Sequence, residues 1–293
     1  MAGRISTQMA QCAGRACIES QAKEAIARFV RGMQNPDGGF RGRGGPTSDL
    51  YYTVFGAATL RALGRKLPLL KIRRYINSFG DGADLDFVHL TCLARLRASA
   101  RGFSRPDDSI LSRIEEYRSD DGGYHHMTKH ASRGSVYAAF LAISVYEEFG
   151  VDIPRIDRLR AGLDGLKTGC GAYMNEADAL CSGTNATAAA VVARSRLGDE
   201  VEPATRDWLL AQHCPEGGFR ANPHTPVPDL LSTATALFAL RSVRTPLSDL
   251  WRPTTDFVES LWHTDGGFRG HPADPVPDCE YTFYALLALG CFT

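Results

Sequence analysis

Apolar residues recur along the chain at helical spacing, in two alternating kinds of segment. The first kind is amphipathic: AKEAIARFVRGMQ, PLLKIRRYINSF, ILSRIEEYRS, IDRLRAGLDGL, ATRDWLLAQH and TTDFVESLWH each carry charges on one face. Such a stripe predicts helices that bury one side and show the other to solvent. The second kind is richer: DLYYTVFGAATLRAL, DFVHLTCLARLRA, SVYAAFLAISVYEEF, NATAAAVVARSRL, DLLSTATALFAL and DCEYTFYALLALG. Runs such as FYALLAL and TALFAL are apolar nearly all round, which predicts buried helices. Asp49, Asp229, Asp278 and Ser135 open these segments as N-caps.

Between the two kinds lies a repeated turn. It reads NPDGGF at 35–40, SDDGGY at 119–124, CPEGGF at 214–219 and HTDGGF at 263–268, with degraded copies KTGCGAY at 167–173 and FGDGAD at 79–84. Counted from the first glycine of each clear pair, 38 to 122 is 84 residues, 122 to 217 is 95 and 217 to 266 is 49. These intervals hold two, two and one units, so six repeats of about 42–49 residues fill the chain. Paired glycines accept left-handed backbone angles, ending one helix and turning into the next. Six helical hairpins with small inner residues predict an all-α, (α/α)6 toroid, with residues 18–293 as one domain and 1–17 as a tail or extra cap.

Composition narrows the partners. Lys plus Arg (33) equals Asp plus Glu (33), which removes the electrostatic case for nucleic acid or an anionic membrane as main partner. With 44% hydrophobic residues the chain can bury a large interior. No apolar run reaches the length of a membrane span and no compact secretory signal opens the chain. The eight cysteines are scattered without a CxxC pair, which predicts a reduced, cytoplasmic protein.

The phrases GGFRANPHTPVPDLLSTATALFAL and GGFRGHPADPVPDCEYTFYALLALG resemble the β-subunits of protein prenyltransferases, particularly the Rab geranylgeranyltransferase type, and their relatives the class II terpene cyclases. The resemblance implies a barrel of six inner and six outer helices. It also implies a central apolar funnel for an isoprenoid or prenyl diphosphate, and an α-subunit-like protein partner. Family transferases hold zinc with Asp and Cys on the fifth inner helix and His on the sixth. Here Asp229 matches, while Leu231 and Tyr281 stand in the other two places. A shifted zinc site would use Asp229 and Cys279 with His224 or His271.

A second match, GGFRGRGGPTSDLYYT, puts Arg43 and Tyr52 on the family's diphosphate-binding Arg and Tyr. Asp86-Phe87-Val88-His89 likewise puts His89 on the zinc His. Against the cyclase motif Asp-x-Asp-Asp, Asp84-Leu85-Asp86-Phe87 places Asp86 as alkene-protonating acid, one Asp short. The candidate catalytic residues are therefore Asp86 and Asp229, and the candidate substrate-binding residues are Arg43, Tyr52, His89, Arg220, Arg269 and Tyr281. A loop cluster of His125, His126 and His130 joins them, together with Lys129 and Arg133.

If the ring closes, the basic residues after the turns collect at one mouth with the positive ends of six helices. That predicts a cationic rim suited to a diphosphate. The leading expectation is a prenyltransferase-like protein. The alternatives are a non-catalytic toroid binding lipid or protein, and a small terpene cyclase.

Overall fold

The Gly-Gly-aromatic turn sets the geometry of every corner. At Gly217 the backbone has φ +88°, and a Cβ there would strike the carbonyl of Pro253, on the outer helix of the next repeat. Gly266 (φ +95°) meets Ala25 in the same way, so the last repeat abuts the first outer helix and the outer ring closes. The aromatic that follows is buried: Phe40 and Phe219 have no exposed surface. Their N–H groups donate to Thr53 and Thr233 at 2.9 Å, four residues into the following helix. Each of those hydroxyls donates in turn to the carbonyl of the capping Asp.

The computed structural model describes residues 3–101 and 107–293. A first helix, α1 (Ile5–Gly14), precedes six hairpins of one outer and one inner helix. These are α2 (Ser20–Gly32) with α3 (Leu50–Ala62), α4 (Leu69–Asn77) with α5 (Phe87–Arg101), and α6 (Asp108–Glu115) with α7 (Val136–Phe149). The series continues with α8 (Ile156–Asp164) and α9 (Thr184–Arg196), α10 (Pro203–Leu210) and α11 (Leu230–Ser242), and α12 (Trp251–Ser260) and α13 (Cys279–Gly290). Each inner helix packs on the next, and α13 packs on α3, completing the inner ring. The architecture is the (α/α)6 toroid that the repeats predict.

Two antiparallel ribbons of two residues per strand, Phe40–Arg41 with Ser48–Asp49 and Phe219–Arg220 with Pro228–Asp229, are the departure from all-α. They arise where the chain doubles back from the buried aromatic to the capping Asp, bringing Phe40 opposite Asp49 and Phe219 opposite Asp229.

Local chemistry starts the inner helices as expected. The side chain of Asp49 accepts from Tyr51 and Tyr52 N–H, Asp229 from Ser232, Asp278 from Tyr281 and Ser135 from Ala138. Each such cap contributes about 1 kcal/mol.

Helix α1 has a role that the sequence left open. It lies across the C-terminal ends of α3, α7 and α13. Ile5 N–H donates to Glu147 at 2.9 Å, Ser6 pairs with Glu148, and the Cys12 thiol sits 3.5 Å from that of Cys291. The helix therefore forms a floor across the barrel. Gly290 permits the approach, because a Cβ there would overlap the Cys12 carbonyl. Gly290→Ala is expected to displace α1 and to lower stability by about 1–3 kcal/mol, the usual cost of overpacking. Urea unfolding checks this, and an unchanged midpoint would contradict the floor contact.

Candidate functional site

Inside the ring lies a cavity of about 440 Å³, within the span of about 300–1,000 Å³ typical of small-molecule sites. Its wall is layered. Counted from the residue that caps each inner helix, the second positions are Tyr51, Val88, Tyr137, Asn185 and Leu231. The sixth are Phe55, Cys92, Leu141, Ala189, Thr235 and Tyr284, and the ninth include Arg95, Ser144, Val192 and Phe238. At the helical rise of 1.5 Å per residue, the ninth layer lies about 13 Å below the caps. Ile5 and Met9 of α1 line the cavity as well. The cavity is thus an apolar well with a built floor.

The mouth is formed by the N-termini of the inner helices. Here several of the basic residues expected at a cationic rim are paired with carboxylates. Arg43 donates to Asp278 at 2.8 Å and to Asp274 at 2.6 Å, with its guanidinium 4.7 Å from the Tyr281 ring centre. Asp278 is fully buried, so Arg43 neutralises an interior carboxylate and is not free to meet a diphosphate. Burial works against the Arg43 charge, but the bonds and charges of Asp278 and Asp274 outweigh it and push the pKa up.

His89 is likewise taken. Its ring lies 3.1 Å from Asp49 and 2.8 Å from Asp86. The hydrogen bond to Asp49, reinforced by Asp86, raises the imidazole to about 9, so it is an imidazolium at neutral pH. Lys129 pairs with Glu116 at 2.7 Å. The capping carboxylates also use the first-turn N–H groups that would otherwise face an anion. Of the basic residues after the turns, Arg43 and Lys129 are thus held by carboxylates.

The remaining sequence candidates separate. Tyr52 and Tyr281 pack at the mouth, their rings against Gly42 and Gly270. Arg220 and Arg269 are absent from the cavity wall, and Arg269 donates to the Ser260 carbonyl at the end of α12. Asp86, offered as an alkene-protonating acid, keeps 60% of its side chain exposed and is bound to His89, outside the apolar well. His125 and His126 stack at 5.4 Å and His126 lies 3.7 Å from Glu176.

The zinc set does not assemble. Asp229 accepts from both the N–H and the hydroxyl of Ser232, and Cys279 is fully buried, which drives its thiol pKa up. Among the described residues no three His, Cys, Asp or Glu side chains group as metal donors. The residues present do not fit the family's zinc ion.

Three groups at or near the cavity escaped the sequence reading. Glu280 is 9% exposed, accepts from the Tyr51 hydroxyl at 2.6 Å, and is pushed by burial up to about 7. Tyr51 connects it to the cavity wall. Arg95 is the only charged side chain among the described lining residues. Tyr284, buried and with its pKa driven well up by that burial, lines the cavity with Arg95.

A ring of inner helices enclosing an apolar well defines the class: an α/α toroid with a central cavity. The chain belongs to the prenyltransferase alpha-alpha toroid domain family, whose model matches residues 9–89 and 184–292. No curated protein matches it.

Among solved structures, the Candida albicans protein geranylgeranyltransferase-I complexed with GGPP is 13% identical with TM-score 0.54, covering 96% of this chain and 81% of that one. A variant of the type II terpene cyclase MstE from Scytonema, in complex with its substrate geranylgeranyl dihydroxybenzoate, is 13% identical with TM-score 0.62, covering 98% of each chain. The GH76A alpha-1,6-mannanase from Salegentibacter sp. reaches TM-score 0.61 at 11% identity, covering 93% of this chain and 98% of that one. One fold thus serves lipid and sugar chemistry, and the choice rests on the site. No helix among the described residues is long and apolar enough to cross a membrane.

Proposed function

We propose that this toroid binds a linear isoprenoid, or an isoprenoid joined to a small polar group, with its chain in the central cavity. The observation that carries the reading is the well itself: layered Phe, Tyr, Leu, Val and Ala side chains with a single charge among them. A glycan site would need many paired polar groups along its wall, and this wall has few. The family and the isoprenoid ligands of two structural neighbours agree with this choice.

Two chemistries are left without support. Zinc-activated thiol transfer needs a donor set that Leu231 and Tyr281 interrupt. Alkene protonation needs a strong acid in an apolar place. Asp86 is in water, and Glu280, holding its proton to about pH 7, is a weaker acid than an ordinary carboxyl. Glu280 with Tyr51 is suited instead to hydrogen bonding, or to proton transfer with an oxygen group near the mouth.

Each buried methylene contributes about 0.8 kcal/mol, so affinity should follow chain length. Calorimetric titration with geraniol, farnesol and geranylgeraniol is expected to show affinity rising along the series until the well is full. Binding of an α-mannan oligosaccharide in place of all three alcohols would overturn the proposal.

A further inference from the structure

Arg95 is the anomaly of the cavity. It projects from the ninth position of α5, in the deepest layer, where the neighbouring helices offer Ser144, Val192 and Phe238. Among the described residues no carboxylate pairs with it, and none of its nitrogens has a hydrogen-bond partner; its buried Nε is wholly unsatisfied. An unpaired Nε is shared by other arginines, Arg97 included, but Arg97 and Arg194 hold a carboxylate through a terminal nitrogen, Asp107 at 2.8 Å and Asp199 at 3.0 Å. An unpaired guanidinium in an apolar enclosure costs stability, and the fold keeps one where a ligand would lie.

Its surroundings are donors as well. The Tyr137 and Tyr284 hydroxyls line the same wall and have no partner among the described residues. The charge of Arg95 is felt at both, and at Cys92. What this arrangement lacks is an anionic acceptor.

We infer that the ligand carries a carboxylate, seated against Arg95 inside the cavity, with its apolar chain filling the rest of the well. The inference rests on the proposed isoprenoid reading and specifies the ligand's polar end. One guanidinium matches one carboxylate in charge and in its planar, two-pronged geometry. A diphosphate would bring further negative charge that no other cation of the wall offsets. The carboxylate therefore lies inside the barrel, well below the mouth where the sequence places a diphosphate.

The test compares farnesoic acid, farnesol and farnesyl diphosphate by calorimetry at pH 7.5, on wild type, Arg95→Met and Arg95→Lys. Wild type is expected to bind farnesoate at least tenfold more tightly than farnesol. Arg95→Met should abolish that preference while leaving farnesol affinity within threefold, and Arg95→Lys should retain part of it. The unliganded Arg95→Met protein should melt at a higher temperature than wild type, since it loses an uncompensated cation; a merely structural arginine would give a lower one.

Equal wild-type affinity for farnesoate and farnesol overturns the inference but not the isoprenoid reading. An Arg95-dependent preference for the diphosphate overturns the carboxylate assignment. Binding of none of the three overturns both.

Discussion

An Ala189→Trp variant is expected to lose at least 100-fold in affinity for farnesol while keeping its fold. Ala189 occupies the sixth position of α9, halfway down the well, and faces the cavity. Its neighbours in that layer include Phe55, Leu141 and Tyr284, so an indole ring placed there meets apolar partners, with its N–H the one polar group added. Trp side chains bury about 150–250 Å² of surface, which is a large share of the wall of a 440 Å³ cavity. A 100-fold loss corresponds to about 2.7 kcal/mol, equivalent to displacing a few of the methylenes that the chain would bury.

The melting temperature serves as control. Filling an apolar void with an aromatic should leave it unchanged or raise it. Undiminished farnesol binding by a well-folded Ala189→Trp protein would place the ligand outside the ring and remove the basis of the proposed function.

Much of this was legible in the sequence, and the reason is repetition. The Gly-Gly-aromatic turn appears six times in clear or degraded form, so the hairpin count followed from spacing, and ring closure from six hairpins with small inner residues. Closure itself needs the first glycine of the turn for a reason the sequence does not print: the next outer helix passes where a Cβ would be, as at Gly217 and Pro253. The capping aspartates were also readable, since Asp before an apolar helix is a local signal. What misled was treating charge as a list. Arg43, His89 and Lys129 are basic in the sequence, but Asp274, Asp278, Asp49, Asp86 and Glu116 neutralise them across distances of up to 235 residues.

Arg95 and Glu280 were hidden for the opposite reason. Each lies within a helix otherwise read as buried, where composition averages its charge away. A register would have exposed them. With Asp49, Asp86, Ser135, Gly183, Asp229 and Asp278 aligned, most of the second, sixth and ninth residues after the caps line the well. Glu280 then stands in a column with Tyr51, Val88, Tyr137, Asn185 and Leu231, and Arg95 in one with Ser144, Val192 and Phe238. A charge in an apolar column is a ligand or proton-transfer candidate, whereas a charge in the turn is usually a partner for a cap. Helix α1 gave no such signal, because it repeats nothing.

Glu280→Gln should change the pH dependence of stability markedly. Burial raises the Glu280 carboxyl from its ordinary 4.5 to about 7, with the Asp278 charge adding to the rise and the Tyr51 hydrogen bond and Arg43 opposing it. The folded state thus binds this proton more tightly than the unfolded chain does. Its contribution to stability is fully present below pH 4.5 and is lost as pH rises through about 7. At 1.36 kcal/mol per unit, the difference amounts to about 3 kcal/mol by pH 8.5.

Gln is neutral throughout and its carbonyl can still accept from Tyr51. The variant should therefore match wild type near pH 4.5 and exceed it by up to about 3 kcal/mol in alkaline buffer. His89 also loses its contribution as pH rises through about 9, but it does so in both proteins and cancels from the difference. Urea unfolding of the pair across this range measures the divergence directly. Parallel profiles would mean that Glu280 ionises at its ordinary pH, and that the Tyr51–Glu280 pair presents a charge to the cavity where a proton donor is now assigned.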